Sequence, residues 1–547
     1  MKRTRPTTAR TAARAEARRA GVAGTLPSVL ADPAIYPRAG IEPELIETHV
    51  SWIALAGDEA YKFKRPVRFA FLDYSTPQLR RCACATELAL NRRWAPALYL
   101  GLAELSDTPA GPRLHIGPPL GEPAVRMRRF DRGLELDALV AAGRVVAEEL
   151  ATLGADLAAW QAASPRVAPG SGYGRPGAAL TAARDNLDAL AGVAPERSVI
   201  RGLAAWIAKR QRRVAPLLAR RRAAGRVREC HGDLHTGNVV RLAGRLTPFD
   251  GIDFDPSLRW IDVASDVAFL VMDLERQGRA DLAAAFLDRW LDASGDYQAA
   301  AVLPWFLAYR ALVRAKVEAL RAAQLGRRAG ARASRAECAV LLRHAQRYAR
   351  RPRGCLIITC GPSGSGKSRL AAALVPLLPA LRLRSDVERK RLAGLAPLAR
   401  SGSCPDQGLY APALTRRTYA RLATAAGACL RAGFNVIVDA AFLDPSARRR
   451  FAALAAAARA RFAILECTAP ASVLRARVGA RRADPSEATL AVLERQLARV
   501  SLPGATERRR RVLVDTAGPI DVAAIAAALT AAAARPGGWR PAAAPGS

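Results

Sequence analysis

Residues 230–240 read "CHGDLHTGNVV", and their spacing decides the fold of the first half of the chain. Asp233 and Asn238 keep the five-residue step of the kinase catalytic loop, H-R-D-L-x-x-x-N, with Gly232 in place of the arginine. The step has a chemical reason. A carboxylate must orient an attacking hydroxyl and accept its proton. One short turn later, an amide oxygen must reach the cation on the phosphates. His231 and His235 would also suit two metal ligands on one helical turn. Gly232 and Gly237 speak against such a helix, and its usual glutamate is missing, so the base-loop reading is preferred.

A site of this kind needs a second metal-holding acid after a strand. The stretch "RLTPFDGIDFDPSLRWIDVASDVAFL" contains it. Leu246–Phe249 reads as a short strand with Asp250 at its end, 17 residues beyond Asp233. Asp253 is the competitor, and Asp262 suits a loop brace or a helix cap. Upstream, "EAYKFKRPVRF" (59–69) predicts a strand with Lys62 and Lys64 on one face and Tyr61 and Phe63 on the other. A helix should follow, capped by Thr76, with Pro77 in its first turn and Pro96 as its limit. Leu79, Ala83, Thr86 and Leu90 make one face of it, with Glu87 at the edge. A strand lysine paired to a helix glutamate positions the α- and β-phosphates in kinases. Lys62 is preferred to Lys64 for that pair with Glu87.

A second phosphate signature, "CLIITCGPSGSGKSRL", runs strand, loop, helix. Gly361, Gly366, Lys367 and Ser368 fit G-x-x-x-x-G-K-[ST], with Pro362, Ser363, Gly364 and Ser365 completing the loop. Backbone N–H groups there point at phosphate oxygens, and the helix N-terminus adds a favourable dipole. Lys367 should reach the β/γ-phosphates and Ser368 should hold Mg²⁺. Asp386 ends a following strand, with Arg389 three residues on. Asp439 ends another apolar strand, in "FNVIVDAAFLD", as a metal- or substrate-contacting acid. In "VLRARVGARRADPSEA", Arg477 and Arg481 fall at i and i+4 of a predicted lid helix and could clamp the transferring group.

The 547 residues are too many for one core. The reading is a basic tail (1–25), one domain over 26–350, a second over 353–535 and a Pro/Gly-rich end (536–547). "QLGRRAGARASRAE" reads as a connector before the last helix of the first domain. No apolar run reaches the ~18 residues of a membrane span. Nine scattered cysteines in no ligand-like pairing suggest reduced thiols and a cytoplasmic protein. The net charge of +36 admits a nucleic-acid partner. The arginines are spread along the chain without interleaved stacking aromatics, so solvated basic faces are preferred. Only seven of the 84 basic residues are lysine, and Lys62, Lys64, Lys367 and Lys390 lie in or beside these motifs.

"HGDLHTGN", "PFDGIDF" and "WIDVASDVAFLVMDL" resemble the aminoglycoside phosphotransferase family. More closely, through "AYKFKRPV", "ELALNRR", "VRMRRF", "ECHGDLHTGN" and "YRALVRAKV", the chain over 26–535 resembles the bacterial proteins that fuse such a domain to a P-loop kinase-like domain. The resemblance implies an α+β protein-kinase-like bilobal domain followed by an α/β P-loop domain with a parallel sheet. It implies ATP and Mg²⁺ as cofactors, transfer of the γ-phosphoryl group to a hydroxyl, and "VRMRRF" as the strand against adenine. The D-x-x-R step of Asp386 and Arg389 is similar to that of polynucleotide kinases and zeta-type toxins, in which the aspartate takes the acceptor proton. The chain departs from the pattern twice. No G-x-G-x-x-G precedes Lys62, and Gln161 stands where a histidine is expected. The acceptor should be small, hydroxylated, and neutral or anionic. The alternatives are a regulatory protein in which one half controls the other, and a polynucleotide-kinase-like activity in the second half.

Overall fold

The computed structural model describes residues 26–37, 42–69, 72–116, 121–351, 353–403, 407–481, 484–498 and 505–534. The tails expected at 1–25 and 536–547 lie outside the described residues. Two compact units divide the chain and cut across the 26–350 segment. One comprises the described residues up to Ala142 with the excursion Glu229–Ile261; the other comprises Gly143–Arg228 and the residues from Asp262 onward.

The first unit is built on antiparallel strands: β1 (Glu44–Glu47), β2 (Ser51–Ala56) and β3 (Glu59–Lys64), then, after helix α1 (Pro77–Asn91), β4 (Tyr99–Thr108), β5 (Gly111–Ile116) and β6 (Glu122–Arg128). Their spatial order is β1-β2-β3-β6-β4-β5. In β3, Tyr61 and Phe63 turn into an apolar core with Trp52, Leu30 and Leu105. Alternation puts Lys62 and Lys64 on the other face. The β2–β3 connection is the two-residue hairpin Gly57-Asp58, with Gly57 at φ 63°. It has no length to fold over a phosphate chain.

Helix α1 begins as predicted. Thr76 caps it by accepting the Leu79 N–H at 3.2 Å, and Pro77 takes the first position. Its buried face differs from the one that apolar spacing suggests. Leu79 is 41% exposed, whereas Arg80, Cys84, Glu87 and Asn91 are buried beside Leu90. The polar residues can occupy that face because each is paired: Arg80 with Glu122, Glu87 with two lysines, and Asn91 with backbone groups. A short helix, α2 (Leu136–Ala141), and the hairpin β7 (Val239–Leu242) and β8 (Arg245–Pro248) complete this unit's description.

The second unit opens with helices α3 (Ala147–Ala163), α4 (Pro176–Val193), α5 (Arg197–Ala223), α6 (Val263–Arg276), α7 (Ala280–Ser294), α8 (Leu303–Leu325) and α9 (Ala331–Ala349). The stretch read as a connector is mostly helix. Only Gly326–Gly330 interrupts, and α9 then buries Ser334 and Cys338. Alanine and arginine are strong helix formers, so the same composition that looks like a linker also favours α9. Gln161 is a core brace: its Oε1 accepts the Trp290 indole N–H at 2.8 Å, and its Nε2 donates to Val263 O at 3.3 Å. Helices α3 and α7 approach closely at Gly154, where a Cβ would lie 2.3 Å from Phe286 O. Gly154→Ala is expected to cost about 1–3 kcal/mol of stability. A urea titration checks this, and an unchanged midpoint would contradict the close approach.

The rest of this unit is a parallel sheet of β9 (Cys355–Cys360), β10 (Ala380–Arg384), β11 (Asn435–Asp439), β12 (Arg461–Thr468) and β13 (Arg511–Asp515), in the order β10-β11-β9-β12-β13. Helices α10 (Lys367–Leu377), α11 (Ser385–Leu392), α12 (Pro412–Arg431) and α13 (Ala471–Gly479) connect or flank its strands. The strand order reverses at β9, and open α/β sheets bind ligands beyond the carboxyl ends of such strands. The fold class is the expected one: a kinase-like α+β half, then an α/β P-loop half with a parallel sheet.

Helix α7 braces β10. Asp288 Oδ1 accepts the Arg382 N–H at 2.5 Å, Asp292 Oδ2 lies 3.4 Å from Arg384 Nη1, and Tyr297 donates to Arg382 O at 3.3 Å. Burial pushes the Asp288 carboxyl up to about 6, more than the Arg382 charge pulls it down. The folded state therefore holds this proton more tightly than the unfolded chain does. The resulting stability is complete below about pH 4 and is lost as pH rises through about 6. Asp288→Asn cannot ionise, so relative to the parent it should gain about 2–3 kcal/mol between pH 4 and pH 7. Paired unfolding curves at the two pH values test this; a constant difference would contradict it.

Candidate active sites

The first site lies wholly in the first unit. Its base loop is fixed from within. Asn238 Nδ2 donates to Asp233 O at 2.9 Å and to Asp233 Oδ2 at 3.1 Å, which leaves the asparagine carbonyl oxygen as an acceptor. His231, 2% exposed, accepts the Asp233 N–H at Nδ1 (3.3 Å) and bonds Phe249 O through Nε2 (2.8 Å). That pattern requires the proton on Nε2 and ties the base loop to the strand end that carries Asp250. The Phe249 N–H donates back to Asn238 O at 2.9 Å. His235 ends 3.5 Å from Asp233 Oδ2 and accepts the Gly237 N–H.

Asp250 adopts φ 60°, a left-handed conformation uncommon outside glycine. The tyrosine hydroxyl of Tyr99 accepts its N–H at 3.0 Å, and Asn91 Oδ1 accepts the Gly251 N–H at 2.8 Å. The conformation is thus held by two residues that motif reading misses. Asn91 lies one helical turn beyond Glu87, in "ELALN", where its position on the glutamate's face is the only signal.

Both strand lysines reach Glu87. Lys62 Nζ is 2.9 Å from Glu87 Oε1 and 2.6 Å from Asp250 Oδ1; Lys64 Nζ is 2.5 Å from Glu87 Oε2 and 2.7 Å from Asp253 Oδ2. Tyr74 also donates to Asp253 Oδ2, at 3.2 Å. The two acids differ in access: the Asp250 side chain is 45% exposed and that of Asp253 is 9% exposed. Burial alone would raise the Glu87 carboxyl, but the ammonium groups of Lys62 and Lys64 hold it below the usual range. Glu87→Gln would leave two buried cations short of their shared counter-charge. It is expected to destabilise by about 3–5 kcal/mol, measured by denaturant unfolding, and a loss within ±0.5 kcal/mol would refute the pairing.

The second site lies in the second unit, around the loop between β9 and α10. Gly361 has φ 140°, and a Cβ there would sit 2.3 Å from Cys467 O; at Gly364, φ 82°, it would sit 2.9 Å from Leu474 O. Only glycine fits either place. The Ser363 N–H is held by Gln496 Oε1 at 2.7 Å. Lys367 Nζ folds over the loop onto Pro362 O (2.6 Å) and Ser365 Oγ (3.3 Å), and burial lowers its proton affinity. Ser368 Oγ donates to Asp439 Oδ1 at 3.0 Å, and burial raises that carboxyl. A serine hydroxyl against a carboxylate is the donor set that magnesium on a nucleotide needs, with phosphates and water completing the shell.

Asp386 lies just inside α11 rather than on the strand. It is half-buried and close enough to Lys367, Tyr410 and Tyr419 to act on their ionisation. Arg389, 9% exposed, donates to Leu409 O and stacks over Tyr410. Arg477 is pinned to the loop rim, on Thr516 O (2.7 Å), Thr516 Oγ1 (2.9 Å) and Gly364 O (3.3 Å). Arg481 does not share a helix face with it. Helix α13 stops at Gly479, and Arg481 pairs instead with Asp484 at 3.4 Å. A residue missed by motif reading is Arg382, which donates to Ser368 O at 3.1 Å. Its signal was an arginine inside an otherwise buried strand, "ALRLR".

The profile of the phosphotransferase enzyme family matches residues 86–303, and that of an AAA domain matches residues 356–503. Uncharacterized proteins of Mycobacterium tuberculosis and Mycobacterium bovis are 33% identical over 476 residues, covering 86% of this chain and 92% of theirs. Among solved structures, a choline/ethanolamine kinase family protein of Mesorhizobium loti is 15% identical, spans 61% of this chain and 99% of its own, and has a TM-score of 0.35. A gluconokinase of Sinorhizobium meliloti is 23% identical, spans 33% of this chain and 92% of its own, and has a TM-score of 0.24.

Proposed function

We propose that this chain, which belongs to the family of these mycobacterial proteins and joins a phosphotransferase domain to an AAA-type P-loop domain, moves the γ-phosphoryl group of ATP to a hydroxyl at two separate sites. One observation carries the reading: each half sets an accessible carboxylate beside a lysine suited to phosphate. In the first half Asp233 is the base, Lys62 the phosphate contact, and Asn238 with Asp250 the metal side. Asp250 is chosen over Asp253 because its carboxylate is open while that of Asp253 is buried against Lys64. In the second half Asp386 is the base, Lys367 the phosphate contact, Ser368 and Asp439 the metal side, and Arg389 and Arg477 hold charge that develops in transfer. Arg481, paired with Asp484 beyond the end of α13, is given no part in the transfer. ATP and Mg²⁺ supply the group transferred and the charge that masks it. The protein orients the acceptor hydroxyl and removes its proton.

The acceptor is read as small and neutral or anionic. A polyammonium drug needs several free carboxylates, and here Asp233 and Asp250 serve as base and metal side while Asp253 and Glu87 are paired with lysines. The field of a +36 chain also repels polycations, within the screening length of about 8 Å at physiological salt. A second reading, an acceptor with a single ammonium group, is favoured by one observation. Asp137 lies beside Gly237 of the base loop and, among the described residues, accepts only the Ala138 N–H next to it. A cytoplasmic location fits the eight free thiols among the described residues. Among those residues no helix is long and apolar enough to cross a membrane.

The test is transfer from γ-labelled ATP to neutral sugars, nucleosides, amino alcohols and a kanamycin-like polycation at two salt concentrations. Neutral or singly charged acceptors should be labelled. Efficient labelling of the polycation alone would overturn the acceptor class.

A further inference from the structure

A cavity of about 670 Å³ opens within the second unit, and none of its lining residues belongs to either site described above. One wall comes from helix α5 of the phosphotransferase half, the other from α11 and α12 of the P-loop half. Arg220, Arg226, Arg421 and Arg431 line it, and the buried Arg221 stands in its wall. Leu217, Leu392, Ala425 and Ala428 form an apolar part of the lining.

The charges here do not cancel. Arg221 takes both Asp262 and Asp296, with four bonds of 2.7–2.9 Å. Asp296 is therefore largely spent, and Arg226 reaches it only at 3.6 Å. Arg421 must share Glu388 with Arg391. Arg220 donates through Nε to Pro216 O of its own helix at 3.3 Å, and among the described residues neither Arg220 nor Arg431 has a carboxylate partner. Guanidinium groups outnumber the carboxylates that serve them, around a space the size of a small-molecule site. The planar guanidinium fork matches phosphate oxygens two at a time.

We propose that this cavity binds a small phosphorylated molecule other than a nucleotide, its phosphates among Arg226, Arg421 and Arg431 and its less polar part against Leu217 and Leu392. The site is separate from either transfer site and its existence does not depend on their chemistry. Its position gives it a consequence. An anion that draws Arg421 away from Glu388 acts on α11, the helix that carries Asp386 and Arg389.

Labelled pyrophosphate is the probe, in equilibrium dialysis against the full chain at about 0.15 M salt, with a non-hydrolysable ATP analogue saturating. One further equivalent is expected to bind. Arg226→Ala and Arg431→Ala should each weaken it by about tenfold or more, the loss of one charge-assisted hydrogen bond. Gln298→Glu places an opposing charge on an exposed lining position without disturbing the core and should weaken it similarly. Arg327→Ala, an exposed arginine elsewhere, should change nothing. No binding beyond the nucleotide analogue overturns the proposal. So does equal weakening by Arg327→Ala, which marks diffuse attraction to a basic surface, or weakening by Lys367→Ala alone, which assigns the anion to the P-loop.

Discussion

Asp233→Asn in the full chain is expected to keep Mg–ATP bound to the first half and to slow transfer there by about 10²–10⁴-fold, the usual contribution of a positioned general base. The substitution preserves shape. Asn238 can still donate to the side-chain oxygen and to the backbone carbonyl of residue 233, so the loop keeps its form. What disappears is the ability to take a proton. Asp250→Asn makes a contrasting case. Asparagine tolerates the left-handed backbone at that position, so the fold survives. The metal side loses its open carboxylate, and the Mg²⁺ concentration for half-maximal rate should rise. Asp253→Asn should instead cost stability, because that acid is buried against Lys64 and Tyr74. If Asp253→Asn shifted the metal requirement and Asp250→Asn did not, the assignment of the two acids would be reversed.

Lys367→Ala is the second large effect. Lys367 is drawn over the loop by Pro362 O and Ser365 Oγ, where phosphate oxygens would compete for it. Losing such a clamp costs about 2.7–4 kcal/mol, or 10²–10³-fold in rate. Calorimetric titration of the full chain with a non-hydrolysable ATP analogue should show the stoichiometry fall from two nucleotides to one. Two unchanged binding events would remove the P-loop assignment.

The two sites were legible to different degrees. The P-loop is contiguous, and each glycine has a steric reason that travels with the motif, so Gly361–Ser368 could be read without the fold. Asp233, Asn238 and Asp250 were legible because loop chemistry imposes their spacing. The partner of Glu87 was half legible. Alternation put both lysines on one face, but that a single carboxylate serves both depends on the approach of α1 to β3. Apolar spacing misjudged α1 because it assumes that burial selects apolar side chains, whereas Arg80, Glu87 and Asn91 are buried through pairing. Arg481 was misplaced because the lid helix was carried past Gly479, although glycine there and Pro485 beyond it favour a helix end. The Asp288–Arg382 brace joins residues 94 apart in sequence, and no local pattern announces it.

The central claim is that one chain holds two independent transfer sites. The direct measurement is a product profile: the full chain, γ-labelled ATP and a mixed pool of hydroxylated metabolites, with labelled products separated for the parent, Asp233→Asn and Lys367→Ala. Two product sets are predicted, one lost only with Asp233→Asn and the other only with Lys367→Ala. A single product set abolished by either substitution would show that one half serves the other, and the account of two separate sites would fail.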